Sequence, residues 1–140
     1  MKGIAVGLVL ASVGLLGWGL AMGTVQAAGQ DEAATPEFYT NSVQPIFKAN
    51  CYRCHGGLNH RGGLNFQTRA GMMKGGHDGP VIVPGDPANS LLVRLIRHEG
   101  PANDPKPMPP RSSKLSDEDI ATVERWVKAG AMMPEDTPQP

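Results

Sequence analysis

The chain has 140 residues, with 13 basic and 13 acidic side chains and no net formal charge. That length holds one domain at most once its ends are set aside, and a structural zinc site would need about four Cys or His ligands at regular spacings, whereas the chain has no cysteine beyond one closely spaced pair. Beyond residue 27 the chain keeps six of its seven aromatic residues but also twelve glycines and all 13 prolines, a thin supply of core side chains, so a further apolar group is expected to fill the centre.

Lys2 precedes an apolar run from Ile4 to Val25, and Val25-Gln26-Ala27 carries small residues where a signal peptidase reads them. Residues 1–27 are therefore expected to direct export, to the periplasm or an equivalent outer compartment. The run exceeds the usual h-region, and about 20 apolar residues span a bilayer, so an uncleaved membrane anchor is the alternative. Gly19 and Gly23 have the spacing of a membrane-helix dimerisation face, although glycines are common in such segments. In an oxidising compartment two thiols would ordinarily pair as a disulfide.

Residues 28–35 are small and polar and predict a flexible linker, followed by one domain over 36–133. Thr35 can cap a helix with Pro36 in its first position, and Phe38, Val43, Ile46 and Phe47 recur at roughly helical intervals. Pro45 predicts a break just before Val43 to Pro45, with a second short helix leading onward.

That helix leads into Cys51-Tyr52-Arg53-Cys54-His55. Two thiols three positions apart can each add across a haem vinyl group, and a histidine directly after the second can bring an imidazole nitrogen to the iron. A thioredoxin-like C-x-x-C belongs beside a strand-helix-strand pattern, which is missing here, so one covalent haem c on Cys51, Cys54 and His55 is the reading. A large, mostly apolar porphyrin would also supply the missing core.

Two glycine pairs, Gly56-Gly57 and Gly62-Gly63, predict loop. Thr68 can cap a brief helix through Met73 that ends at Gly75-Gly76, and Pro80, Pro84 and Pro87 forbid a long element before Asp86. Asp86 with Pro87 predicts a helix carrying Leu91, Leu92, Leu95 and Ile96 as its apolar stripe, with Arg94 and Arg97 off it, ending at Gly100. Residues 101–114 hold five prolines and predict a stiff loop. Ser116 then caps a final helix with Asp117, Glu118 and Asp119 in its first turn. Leu115 and Ile120 occupy the staple positions, and Ile120, Val123, Trp126 and Val127 make an apolar face that stops at Gly130. Residues 134–140 predict a disordered tail.

What fills the iron's second axial position decides between electron transfer, which closes it with Met or His, and catalysis, which leaves it open. Met108 is the leading candidate because Pro107, Pro109 and Pro110 restrict the backbone around it. His77 and His98 are the alternatives, and His60 is too close in sequence to His55 to reach the opposite face easily. Met72, Met73, Met132 and Met133 read as packing residues.

These residues together resemble a class I c-type cytochrome, most closely the planctomycete-type cytochrome c domain. The resemblance runs from about Val43 to Ala131 and rests on CYRCHG, GGLNFQTRAGMMKGG, PGDPANSLL, the MPP at Met108 to Pro110, and LSDEDIATVERWVKAGA. It implies an all-α, cytochrome-c-like fold of three to five helices around one covalent haem, with the first and last helices crossing and His55 and Met108 as axial ligands. Such domains often lead a larger extracellular protein, whereas one such domain is present here, so a free or tethered carrier is expected.

Three functions compete: a mono-haem electron carrier serving redox partner proteins, which can be membrane-bound; a peroxidase-like enzyme or gas sensor with an open sixth position, for which His77 and Arg69 could supply polar distal groups; and a haem-stabilised interaction module. The carrier reading implies no enzymatic activity. No nucleophile triad, phosphate loop or nucleic-acid motif occurs, and no nucleic-acid partner is expected. Between Glu37 and Asp78 the sequence has no acid but carries Lys48, Arg53, Arg61, Arg69 and Lys74, while six acids lie beyond Leu115. The basic region could steer an acidic partner, pair with haem propionates, or form an ordinary solvated surface.

Overall fold

Thr35 starts the first helical rod as the sequence predicts: its hydroxyl accepts from the Phe38 N–H at 3.2 Å, and Pro36 needs no partner for a missing N–H. The computed structural model describes residues 31–100, 106–110 and 113–136. The expectations about the export segment at 1–27, the prolines at 101 and 105, and residues 137–140 lie outside the described residues.

The rod consists of α1 (Pro36–Phe38), a π-helical turn (Tyr39–Val43) and α2 (Gln44–Asn50). The break expected at Pro45 does not occur. The Gln44 N–H reaches back five residues to the Tyr39 carbonyl, and this widened turn lets the chain pass Pro45 with helical dihedrals on both sides. Tyr39, Val43 and Phe47, four residues apart, form a buried stripe on one side of the rod.

The final helix, α6 (Asp117–Lys128), packs against that stripe. Ser116 Oγ accepts from the Asp119 N–H at 3.0 Å, and Leu115 and Ile120 are buried on either side of the cap. Trp126 has no exposed surface, and its ring meets Tyr39 at 5.5 Å and the edge of Phe47 at 5.9 Å. Its Nε1–H donates to the Met132 carbonyl at 2.8 Å. Phe47 stacks in turn on Phe66, with centroids 5.0 Å apart and planes 9° apart. The rod and α6 are therefore cemented by protein side chains alone, a fuller core than composition suggested. Burial holds the Tyr39 phenol well above its ordinary pKa, so it is neutral here.

Three shorter helices complete the described residues. The Cys51 N–H continues the ladder to the Phe47 carbonyl at 2.8 Å, and α3 (Tyr52–His55) follows at once. A tight hairpin pairs His55 and Gly56 with His60 and Asn59, the latter forming the two-residue strand β1 (Asn59–His60). Thr68 caps α4 (Arg69–Lys74), accepting from the Gly71 N–H at 3.0 Å, and Gly75 ends it with φ 79°. α5 (Leu91–Ile96) begins four residues later than the Asp86-Pro87 pair predicts. The Asp86 carboxylate instead accepts from the Asn89 backbone and side-chain N–H groups, closing a turn, and the buried Ser90 hydroxyl donates to the Asp86 carbonyl while accepting from the Val83 N–H.

With the rod counted as one, the described residues hold five helices and almost no strand, so the fold is all-α, as the resemblance implies. Two expectations at the ends are corrected. Residues 31–34 are not free linker: Asp31 caps a 3₁₀ turn (Glu32–Ala34), Ala33 is fully buried, and the Arg125 guanidinium holds the Asp31 carboxylate at 2.9 Å. That guanidinium and the Ala33 N–H depress the Asp31 pKa. Residues 134–136 are likewise placed, because the Asp136 carboxylate accepts from the Arg69 N–H at 2.5 Å and the Ala70 N–H at 2.8 Å. Among the packing methionines, Met72 and Met133 are buried and Met73 is half-buried, whereas Met132 is 44% exposed and contributes only its carbonyl to Trp126.

Candidate functional site

One cavity of about 290 Å³ opens beside α3, and Cys51, Cys54, His55 and Met108 all contribute to its lining. The sequence elements that bring them together are distinct. Cys51, Cys54 and His55 share the end of the rod and its continuation, α3. The apolar stripe of α5 shares that lining through the predicted residues Leu91, Leu92, Leu95 and Ile96. The Leu92 N–H donates to the Val81 carbonyl at 2.9 Å, which ties α5 to the segment supplying Val81 to the same wall.

Met108 reaches the cavity from the proline-rich segment. Its backbone N–H donates to the Leu95 carbonyl at 3.0 Å, anchoring it to the end of α5. Pro109 and Pro110 line the cavity beside it and leave the backbone little freedom. The half-buried thioether thus belongs to the same enclosure as the CYRCH motif although 53 positions separate it from His55 in the chain.

His55 is oriented from both sides. Its ring lies edge-on to Phe66 at 5.7 Å, and Nδ1 sits 2.8 Å from the Arg61 carbonyl oxygen. A carbonyl can only accept, so Nδ1 carries the proton and Nε2 keeps its lone pair. Burial lowers the His55 pKa, with the Arg61 charge acting in the same direction against the favourable bond to the Arg61 carbonyl. A neutral imidazole with one nitrogen held by a backbone carbonyl is the state in which histidine ligates a metal. Burial, followed by the neighbouring Cys54, pushes the Cys51 thiol up to about 12, so it is a neutral thiol at ordinary pH. Both cysteines are free.

The donor set fits haem c: two thiols three residues apart, a neutral imidazole and a thioether, all on one mainly apolar enclosure that matches a flat apolar ring better than a bare ion. Among the described residues no cluster of three or more His, Cys, Asp or Glu side chains is assembled to hold an ion by itself. The remaining histidines do not line the cavity. His60 is exposed on β1, His98 is exposed at the end of α5 with φ 60°, and the exposed His77 packs its ring over Gly63. Arg69 also stands apart, bound up with Glu135 and Asp136 of the tail. The polar distal pair suggested by His77 and Arg69 is therefore not assembled.

Sequence reasoning missed the role of the Arg61 carbonyl, because no residue type marks a backbone acceptor. It also missed Asp78 and Lys106, which join Arg61 as charged residues lining the cavity. The polarity seen along the sequence is softened in space: Lys114 pairs with Asp117, Arg97 with Glu124 and Arg69 with Glu135. Lys48, Arg53 and Lys74 are exposed and enter none of the ion pairs among the described residues.

Residues 51–112 match the family model of planctomycete cytochrome C. No curated protein and no solved structure gives a significant match. The matched stretch starts at the first thiol and includes α4 together with His55, α5 and Met108, the last three of which meet at the cavity, and over this stretch the chain is similar to the planctomycete cytochrome C family.

Proposed function

We propose that the protein is a mono-haem electron carrier in which His55 and Met108, both lining the cavity, would ligate the iron. The observation that carries this reading is that Cys51, Cys54, His55 and Met108 share one enclosure while His60, His77 and His98 do not. When bound, haem supplies a one-electron iron couple that can be passed to another protein without any substrate reaching the metal. Cys51 and Cys54 tether it, and the Arg61 carbonyl keeps the His55 Nε2 lone pair available. The hydrogen bond from Met108 to Leu95 and the flanking prolines hold the thioether in place across a change of iron charge, and the side chains of α5 keep water away.

The apolar run at residues 4–25 and the two haem-reactive thiols support export to a periplasmic or equivalent compartment, with the protein either released after Ala27 or tethered by that run. Among the described residues no helix is long and apolar enough to cross a membrane. The exposed Lys48 and Arg53, which enter no ion pair among the described residues and lie on the same stretch as the thiols, support an acidic redox partner, free or membrane-bound, and the function needs no catalytic residue.

Carbon monoxide binding to the reduced protein tests the assignment. Wild type is expected to bind weakly or not at all at neutral pH, whereas Met108→Ala binds readily and has a markedly lower midpoint potential, because a thioether favours the reduced state. Equal binding by wild type and Met108→Ala would show an open sixth position and replace the carrier with an enzyme or sensor.

A further inference from the structure

α5 ends in a tightly closed turn. The His98 N–H donates to the Leu95 carbonyl at 3.1 Å and the Glu99 N–H to the Arg94 carbonyl at 2.9 Å, the paired bonds that close a helix when the residue after its cap turns left-handed. That residue is His98, with φ 60°, a conformation that glycine ordinarily fills. The chain then folds back over the helix end, since a β-carbon on Gly100 would overlap the Leu95 side chain. The Leu95 carbonyl has a second donor, the Met108 N–H at 3.0 Å, and this is the one hydrogen bond of residues 106–110 among the described residues. The last turn of α5 is therefore the support on which Met108 rests.

That turn is fastened to α6 by charge. Arg97, in the cap position, donates from Nε to a carboxylate oxygen of Glu124 on α6, and its Nη1 lies 3.7 Å from the Glu99 carboxylate. One guanidinium thus spans the cap and the neighbouring helix. Glu124 sits between Val123 and Trp126, both without exposed surface, so α6 offers a fixed anchor. The pair is partly shielded, with the Glu124 side chain 22% exposed and the Arg97 side chain 41%. Arg94, also basic and one turn earlier on α5, enters none of the ion pairs among the described residues.

We propose that Arg97 and Glu124 are positioning residues for the sixth iron ligand: by tying the capped end of α5 to α6 they keep the Leu95 carbonyl where it holds Met108. This role presupposes the haem and the Met108 ligation proposed above. Fraying of the last turn moves the Leu95 carbonyl, and Met108 then loses its backbone partner and leaves the iron more readily. A competing ligand binds the iron in proportion to the fraction of molecules in which the methionine is released. Its apparent affinity therefore reports the strength of the tie, and loss of a partly exposed ion pair is expected to raise it about twofold to fivefold.

The test measures carbon monoxide binding to the reduced, haem-loaded protein in wild type, Arg97→Gln, Glu124→Gln and the double variant. Arg125→Gln is the control, because it removes an ion pair of α6 with Asp31, away from α5. Each single variant is expected to bind about twofold to fivefold more tightly than wild type, the double variant no more tightly than either, and Arg125→Gln as wild type does. The two residues carry opposite charges, so a shift in the same direction in both is not produced by their fields at the iron. Wild-type affinity in either single variant, a double variant equal to the product of the two, or an equal shift in Arg125→Gln would overturn the proposal. Amide exchange on the same samples should quicken at Met108 and His98 while α6 stays protected; loss of protection throughout α6 would assign the pair to folding and overturn the positioning role. Wild type that binds carbon monoxide as readily as Met108→Ala would instead refute the functional reading, since the sixth position is then open before the pair is touched.

Discussion

Replacing both thiols, Cys51→Ala with Cys54→Ala, removes the tether and leaves the cavity to the polypeptide. At about 24 cal/mol per Å³, a cavity of about 290 Å³ held empty would cost about 7 kcal/mol. That is an upper bound, since the mouth admits solvent, yet it is comparable with the roughly 5–15 kcal/mol total stability of a small domain. The haem-free variant should therefore relax where the cavity walls have least other support. α5 and Met108 are such a place: much of the apolar stripe of α5 faces the cavity, and Met108 is held by one backbone hydrogen bond to Leu95. The rod and α6 should persist longer, because Tyr39, Phe47, Phe66 and Trp126 pack on one another without any cofactor. Amide hydrogen exchange resolves the two halves. Protection should fall first across Leu91–Ile96 and be retained longest in α2 and α6. Native-like protection of α5 and a cooperative thermal transition at the holoprotein's temperature would refute the claim that the ligand completes this wall.

Two further outcomes follow from the described contacts. Trp126→Ala empties a fully buried site at the junction of Tyr39, Phe47 and α6 and should destabilise the protein by about 3–5 kcal/mol, read from thermal or denaturant melts; a loss below about 1 kcal/mol would mean that α6 is not docked through this ring. The Asp31 carboxyl, held by Arg125 and the Ala33 N–H, has a folded pKa below the ordinary 3.8, so its contribution is present above that value and lost as pH falls through the folded value. Wild type should thus be more stable than Asp31→Asn at neutral pH, with the difference disappearing at acid pH below about 4; a difference that grows on acidification would reverse the assigned sign.

The sequence carried the site more fully than it carried the connections. CYRCH announces its chemistry through residue types at close spacing, and the Thr35, Thr68 and Ser116 caps each act on an N–H group three residues away. Met108 stood out because prolines crowd it. The features that were not visible depend on partners remote in the chain or on the backbone itself. Asp136 caps α4 across 67 residues, and Asp31 meets Arg125 across 94, so neither terminal segment could be read as anchored from its small polar composition. Pro45 misled because local rules predict a broken helix, whereas one π turn absorbs it. The late start of α5 follows from Ser90, a residue type that reads as surface but is buried between Val83 and Asp86.

Covalent attachment is tested most directly by intact mass under denaturing conditions, on protein exported with haem-attachment machinery and combined with a thiol titration. The expected result is one haem retained per chain with Cys51 and Cys54 both consumed. Two titratable thiols with haem lost to solvent extraction would contradict the central claim.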